Sequence, residues 1–181
     1  EPVNTLGTNL LEGTNALLTW APTDTDVESV EIFRDGSAIA IVPATSTSYI
    51  DPNLAPGTYN YCVRSRIGDN YSTDICKDAI VPIPPNSIAC SVDSAIATIM
   101  WGNGEVYDTV ILKRDGGTIV EFLDGSVTSY VDSNPGPGLH MYTVSGRIGD
   151  FVSTDLSCVV TVPYPPADLA CSVAAVKLPA W

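Results

Sequence analysis

Residues 66–74 read RIGDNYSTD, and residues 147–155 read RIGDFVSTD. Seven of the nine positions agree, and the two that differ sit in the middle. Gly68 and Gly149 supply the positive φ that a tight turn demands, and the Asp that follows each can bond the backbone beyond it. On either side lie β-type runs, GTYNYCVRSR and DICKDAIV in the first copy, LHMYTVSGR and DLSCVVTV in the second. The repeated stretch therefore reads as two antiparallel strands folded about a turn, written twice.

Working outward, the duplication covers far more than the turn. Trp20 falls on Trp101, Tyr49 on Tyr130, Tyr61 on Tyr142, Val63 on Val144 and Pro84-Pro85 on Pro165-Pro166, each 81 residues apart. FRDG (33–36) meets KRDG (113–116) at an offset of 80. Landmarks spread through a whole period indicate duplicated domains. A third copy begins as PPADLACSV (165–173), matching PPNSIACSV (84–92). The expected division is residues 1–82, residues 83–163 and, in 164–181, the first strands of an incomplete third repeat.

Each period carries β signals throughout. ALLTW and ATIMW alternate, so Leu18 with Trp20, and Ile99 with Trp101, share a face. The Asp-Gly pairs split apolar runs as hairpin turns do. No stretch has a capped helical period, and short strands with frequent turns predict an all-β sandwich in each repeat.

Composition narrows the partners. Charged residues make up only 16% of the 181, below the roughly 25% of an average soluble protein. Acids outnumber bases 21 to 8, and the formal charge of -13 argues against nucleic acid and anionic lipid surfaces. No apolar run is long enough to span a membrane as a helix, so membrane insertion is not expected. The opening EPVNTLG lacks the basic region and apolar core of a signal peptide, so a processed or excised chain is expected.

LTW, then FRDG, then TSYIDPNLAPGTYNYCVRSR (47–66) resembles a fibronectin type III repeat of bacterial secreted or cell-surface proteins. The resemblance implies tandem immunoglobulin-like sandwiches, with Trp20 and Trp101 in the cores. It makes Tyr61 and Tyr142 the corner tyrosines, and Leu54, Pro56 and Gly57 the turn before the sixth strand. The second repeat departs from this pattern, with Pro135 where Leu54 stands.

The five cysteines are 62, 76, 90, 158 and 171. If the hairpin turns about Asp69, Cys62 and Cys76 lie seven residues either side of it and face one another across two strands. Thr143 and Ser157 hold these places in the second repeat. Cys158 is one residue further on, where the first repeat has Lys77, and Cys90 is matched by Thr8, so both members of that pair are absent together. The expected bonds are Cys62–Cys76 and Cys90–Cys158, with Cys171 awaiting a partner beyond this segment. The rival connectivity, Cys76 to Cys90 with Cys158 to Cys171, stays open. Either set implies an oxidising compartment. No Cys-x-x-Cys occurs, which disfavours zinc and redox chemistry.

Little catalytic chemistry is visible. His140, the sole histidine, corresponds to Tyr59 and reads as a surface or edge residue. Asp24, Asp26 and Glu28 have a spacing that could face calcium, but a solvated loop asks for less. The Ile in RIGD breaks any Arg-Gly-Asp reading. Tyr71 and Phe151 at the turn tips are possible stacking contacts for sugars. No cofactor and no enzymatic activity are expected. Three roles follow: a spacer of a long extracellular or surface protein, stalk, adhesin or filament; a glycan-binding module of a secreted enzyme; or a polymerising subunit that lends residues 167–181 as a strand. Partners would be neighbouring repeats, further copies of the chain, or glycans.

Overall fold

Alternation and turn chemistry build the same two-sheet unit twice. The structure is a computed structural model and describes residues 3–21, 25–122 and 124–166. In the first unit β1 (Gly7–Leu11), β2 (Asn15–Thr19) and β5 (Ser48–Asp51) form one sheet. The facing sheet is β4 (Ser37–Pro43), β3 (Ser29–Arg34) and β6 (Gly57–Ile67), with β7 (Asn70–Tyr71) and β8 (Ile75–Val81) both on the free side of β6. The second unit repeats the order: β9 (Ser87–Asp93), β10 (Ile96–Gly102) and β13 (Ser129–Asp132) in one sheet; β12 (Gly117–Phe122), β11 (Thr109–Arg114), β14 (Gly138–Ile148), β15 (Phe151–Val152) and β16 (Leu156–Val162) in the other. All pairings are antiparallel.

Between the sheets lie two separate cores. Leu18, Trp20, Ile32, Tyr61 and Val63 belong to the first, and Ile99, Trp101, Leu112, Tyr142 and Val144 to the second. Both tryptophans thus fill cores, and Trp20 Nε1 donates to the Ser46 carbonyl at 2.8 Å. Pro135 is buried in the second unit where Leu54 is buried in the first, so an apolar plug survives the change of residue.

The Asp-Gly turns do two jobs. Asp35 and Gly36 (φ 51° and 77°), like Asp115 and Gly116 (φ 53° and 84°), take the paired left-handed conformation of a type I′ hairpin. Each Asp carboxylate then accepts a backbone N–H of the neighbouring long strand, from Asn60 and Met141 respectively, both at 2.9 Å.

Cys62 and Cys76 are cross-strand partners on β6 and β8 and are bonded, and Cys90 on β9 is bonded to Cys158 on β16. The linker-crossing connectivity does not form. Where the second unit has the Cys90–Cys158 bond between its first and last strands, the first has a hydrogen bond from Thr8 Oγ1 to the Asp78 carbonyl at 2.8 Å. Cys171 and the whole of residues 167–181 lie outside the described residues, and with them the exchanged-strand segment and all of the partial third repeat after residue 166.

Candidate functional site: the joint and the turns that build it

The repeated stretch is first of all a turn. Gly68 and Gly149 have φ 57° and 56°, and each opens a two-residue loop between paired isoleucine and tip residues. Just beyond, the strand breaks away from its neighbour, and the serine of the motif fills the gap. Ser72 Oγ accepts the Ser65 N–H at 2.9 Å and donates to the Thr73 carbonyl; Ser153 Oγ accepts the Gly146 N–H at 3.0 Å and donates to the Thr154 carbonyl. A side-chain hydroxyl thus replaces a missing backbone partner, which accounts for the serine on both tips.

The tyrosine roles implied by the family resemblance need correction. Tyr61 and Tyr142 are fully buried, and their hydroxyls donate to Asp51 Oδ2 and Asp132 Oδ2 at 2.7 and 2.8 Å. Arg34 pairs with the same Asp51 oxygen and Arg114 with the same Asp132 oxygen. These are core triads of phenol, carboxylate and guanidinium, not corner caps. The corner bond belongs to Tyr59, whose hydroxyl donates to the Ala55 carbonyl at 2.8 Å. Alternate residues of a strand share a face, so sequence alone could not say which of Tyr59 and Tyr61 turned the corner.

His140 takes Tyr59's place in the second unit and does the same work. Its Nε2 meets the Gly136 carbonyl at 3.1 Å and its Nδ1 meets Asp115 Oδ2 at 2.8 Å. At the surface end of its strand the side chain is 12% exposed, and it is tied at both nitrogens. Both partners are acceptors, and only the imidazolium donates from both nitrogens. The bond to Asp115 raises the His140 pKa, burial opposes the rise, and the Gly136 carbonyl adds to it. The same bond lowers the pKa of Asp115. A pKa raised in the folded state gives stability that is full below the unfolded value of about 6.5 and is lost as pH rises through the folded value. Melting of the second unit is expected to fall as pH rises above the unfolded histidine value of about 6.5, and His140→Tyr should remove that step.

The two units meet through a short joint and a tip. In Pro82-Ile83-Pro84-Pro85 only Ile83 has a backbone N–H, and both its polar groups are taken by the second unit. Glu105 accepts the N–H, and the Tyr107 hydroxyl donates to the carbonyl at 2.7 Å. The same hydroxyl accepts the Gly104 N–H at 3.1 Å. Tyr107 is buried, and its ring occupies the space that a Cβ on Gly146 would need. The first unit has Val27 and Ser65 at these two places, and there Ser65 Oγ holds the Val3 N–H instead. Gly146→Ser should therefore cost about 1–3 kcal/mol by overpacking, with Tyr107→Val recovering most of it. Urea unfolding of both variants checks this pair.

On the other side of the joint, Phe151 packs against the first core. Gly13, in the turn between β1 and β2, comes so close that a Cβ there would lie 2.7 Å from the Thr154 nitrogen. Beside this contact is a groove of about 360 Å³ bounded by Leu10, Glu12, Lys113 and Asp150, with the Lys113–Asp155 ion pair at its wall. The two tips are thus not equivalent. Phe151 is engaged by the neighbouring unit, whereas Asn70 stands in its place in the first tip. Tyr71 is 48% exposed and lies over the Arg64 guanidinium at 4.2 Å, with Phe33 near the same group at 4.7 Å. Arg64 in turn is bonded to buried Glu31. Asp26 and Glu28 are exposed, Asp24 lies outside the described residues, and no cluster of three metal-ligating side chains occurs among the described residues.

No family model matches the chain. Hemagglutinin A of Porphyromonas gingivalis (strain ATCC BAA-308 / W83) is 32% identical over 75 residues, which are 39% of this chain and 3% of that protein. The chain thus corresponds to a small fraction of that relative's length. Among solved structures, the FN1-FN3 domains of chicken CNTN1 match with a TM-score of 0.50 at 12% identity, over 90% of this chain and 67% of that one. A two-domain fibronectin type III segment of chicken tenascin matches at 0.45 and 19%, covering 90% of this chain and 100% of that chain. Fibronectin(III)-like modules of Clostridium thermocellum CbhA match at 0.45 and 16%, over 83% and 86% of the two chains. The fold is that of tandem fibronectin type III, immunoglobulin-like sandwiches.

Proposed function

We propose that the chain is a structural segment of a long extracellular or cell-surface protein, a stiff spacer of a stalk, adhesin or filament without catalytic activity. The observation that carries this reading is the joint. Its proline-rich linker has its one backbone N–H and the matching carbonyl fixed by Glu105 and Tyr107, and Phe151 of the tip is partly buried against the preceding unit. Such a joint restricts the angle between units, which is what a spacer needs and a flexible tether lacks. Two disulfides support an oxidising environment, and the likeness to a stretch of a hemagglutinin supports a surface protein. The glycan-binding alternative is less favoured, since Phe151 is partly buried against the first core and Tyr71 has one ring face on Arg64.

Paired spin labels on the two units of the full chain test the reading. Pulsed electron resonance should give one narrow distance distribution, broadened in Phe151→Asn, which writes the first tip's residue into the second. A broad distribution in the unaltered chain would remove the spacer reading.

A further inference from the structure

The far end of the second unit carries a groove of about 570 Å³, bounded by Val92, Ser94, Ala95, Pro137, Val162 and Tyr164. Its position in the repeat is informative. Strand register makes Val92 the counterpart of Leu10, since the former pairs with Ala97 and the latter with Ala16. In the same way Val162 pairs with Gly138 as Val81 pairs with Gly57. Val81 belongs to the core on which Leu10 and Phe151 are both packed, and β15, which carries Phe151, contacts β1 and β8. The groove is thus the second unit's copy of the surface that the first unit presents to a tip.

The linker is copied as well. Pro163-Tyr164-Pro165-Pro166 follows β16 as Pro82-Ile83-Pro84-Pro85 follows β8, again with a single backbone N–H, and residues 165–173 repeat residues 84–92. One feature differs. The turn between β9 and β10 has two residues, Ser94 and Ala95, where the turn between β1 and β2 has three, so it reaches less far from the sheet. A tip can approach without the glycine that Thr154 requires at Gly13.

We propose that this groove seats the turn tip of a third sandwich of the same fold, continuing after Val173, whose residue at the place of Phe151 is aromatic. This rests on the spacer reading and names its partner. The occupant cannot be a tip of the first unit's kind, because Asn70 offers no apolar ring and Tyr71 is laid over Arg64. Docking is therefore directional: an aromatic tip packs on the preceding unit, and the Asn70 tip lacks the ring to do so.

The chain with residues 174–181 replaced by a copy of residues 93–163 tests this. Amide exchange at Val92–Ala95 should slow by roughly tenfold relative to the unextended chain. Placing Asn at the appended counterpart of Phe151, with Phe151 itself intact, should abolish the slowing. Equal exchange in all three chains, with the first joint still narrow by spin labelling, would overturn this inference and leave the spacer reading standing. Should the appended unit fail to fold, Asn70→Phe with Tyr71→Val in the original chain supplies the second test. That variant should associate head to tail in sedimentation velocity, and Tyr164→Asp, at an exposed wall of the groove, should block it; a strictly monomeric variant overturns the proposal.

Discussion

Asp51→Ala is expected to destabilise the first sandwich by about 3 kcal/mol, a far larger effect than a charge deletion on the surface of this acidic chain. Asp51 Oδ2 accepts both the Tyr61 hydroxyl and Arg34 NH1 at 2.7 Å, and the residue is 7% exposed. Removing it leaves a fully buried phenol without an acceptor and a guanidinium without its counterion. Arg34 keeps a third of its side chain in water, which holds the cost to the lower end of the roughly 3–5 kcal/mol seen when buried ion pairs are broken.

Tyr61→Phe removes only the donor and leaves the carboxylate on Arg34, so about 1–2 kcal/mol is expected. The difference between the two variants separates the triad from simple packing. Denaturant titration, with amide exchange to assign the loss to one unit, reads both. Asp132→Ala should behave alike in the second unit, where burial first and the Asp132 bond second push the Tyr142 pKa up to about 12. The fold holds the neutral phenol, so this contribution is complete below the unfolded tyrosine value of about 10 and is lost as pH rises beyond it.

Much of this fold was legible because its determinants are local or repeated. Asp35-Gly36 and Asp115-Gly116 carry their turn type in two residues. Cys62 and Cys76 declare their pairing by symmetry about Asp69, and the joint absence of Cys90 and Cys158 counterparts declares the other. The triads left a trace that could have been read: Asp51 and Asp132 close the matching runs SYID and SYVD, and Arg34 and Arg114 recur in FRDG and KRDG. A charge repeated inside an apolar strand asks for a buried partner. Tyr59 and Tyr61, two residues apart on one face, carry no local signal that says which of them caps the corner.

The joint was less legible for a different reason. Tyr107 clamps the linker only because Gly146 vacates the space for its ring, and neither residue has a like counterpart in the first unit. Such paired exceptions appear in a repeat alignment as unrelated mismatches until coordinates bring them together. Phe151 is similar. As one residue of a variable tip it read as a free aromatic, and only the neighbouring core gives it a different meaning.

Removing the Cys90–Cys158 bond, by Cys90→Ala with Cys158→Ala, should cost the second sandwich about 4 kcal/mol. The bond spans 68 residues and ties β9, the first strand of the unit, to β16, the last, so it closes nearly the entire domain into one loop in the unfolded state. The Cys62–Cys76 bond spans 14 residues across strands already paired, and roughly 3 kcal/mol is expected for it on the same reasoning. The first unit shows what the longer bond replaces. There Thr8 joins β1 to β8 by a single hydrogen bond, worth about 1 kcal/mol, yet the strand order is the same. The bond is therefore not needed to specify topology; its effect is on the population of unfolded chain and on peeling of β9. Amide exchange along β9 should accelerate in the double variant while β1 is unchanged, and denaturant midpoints should fall for the second unit alone. A loss under about 1 kcal/mol would mean that the unfolded second unit is already compact enough for the crosslink to constrain little.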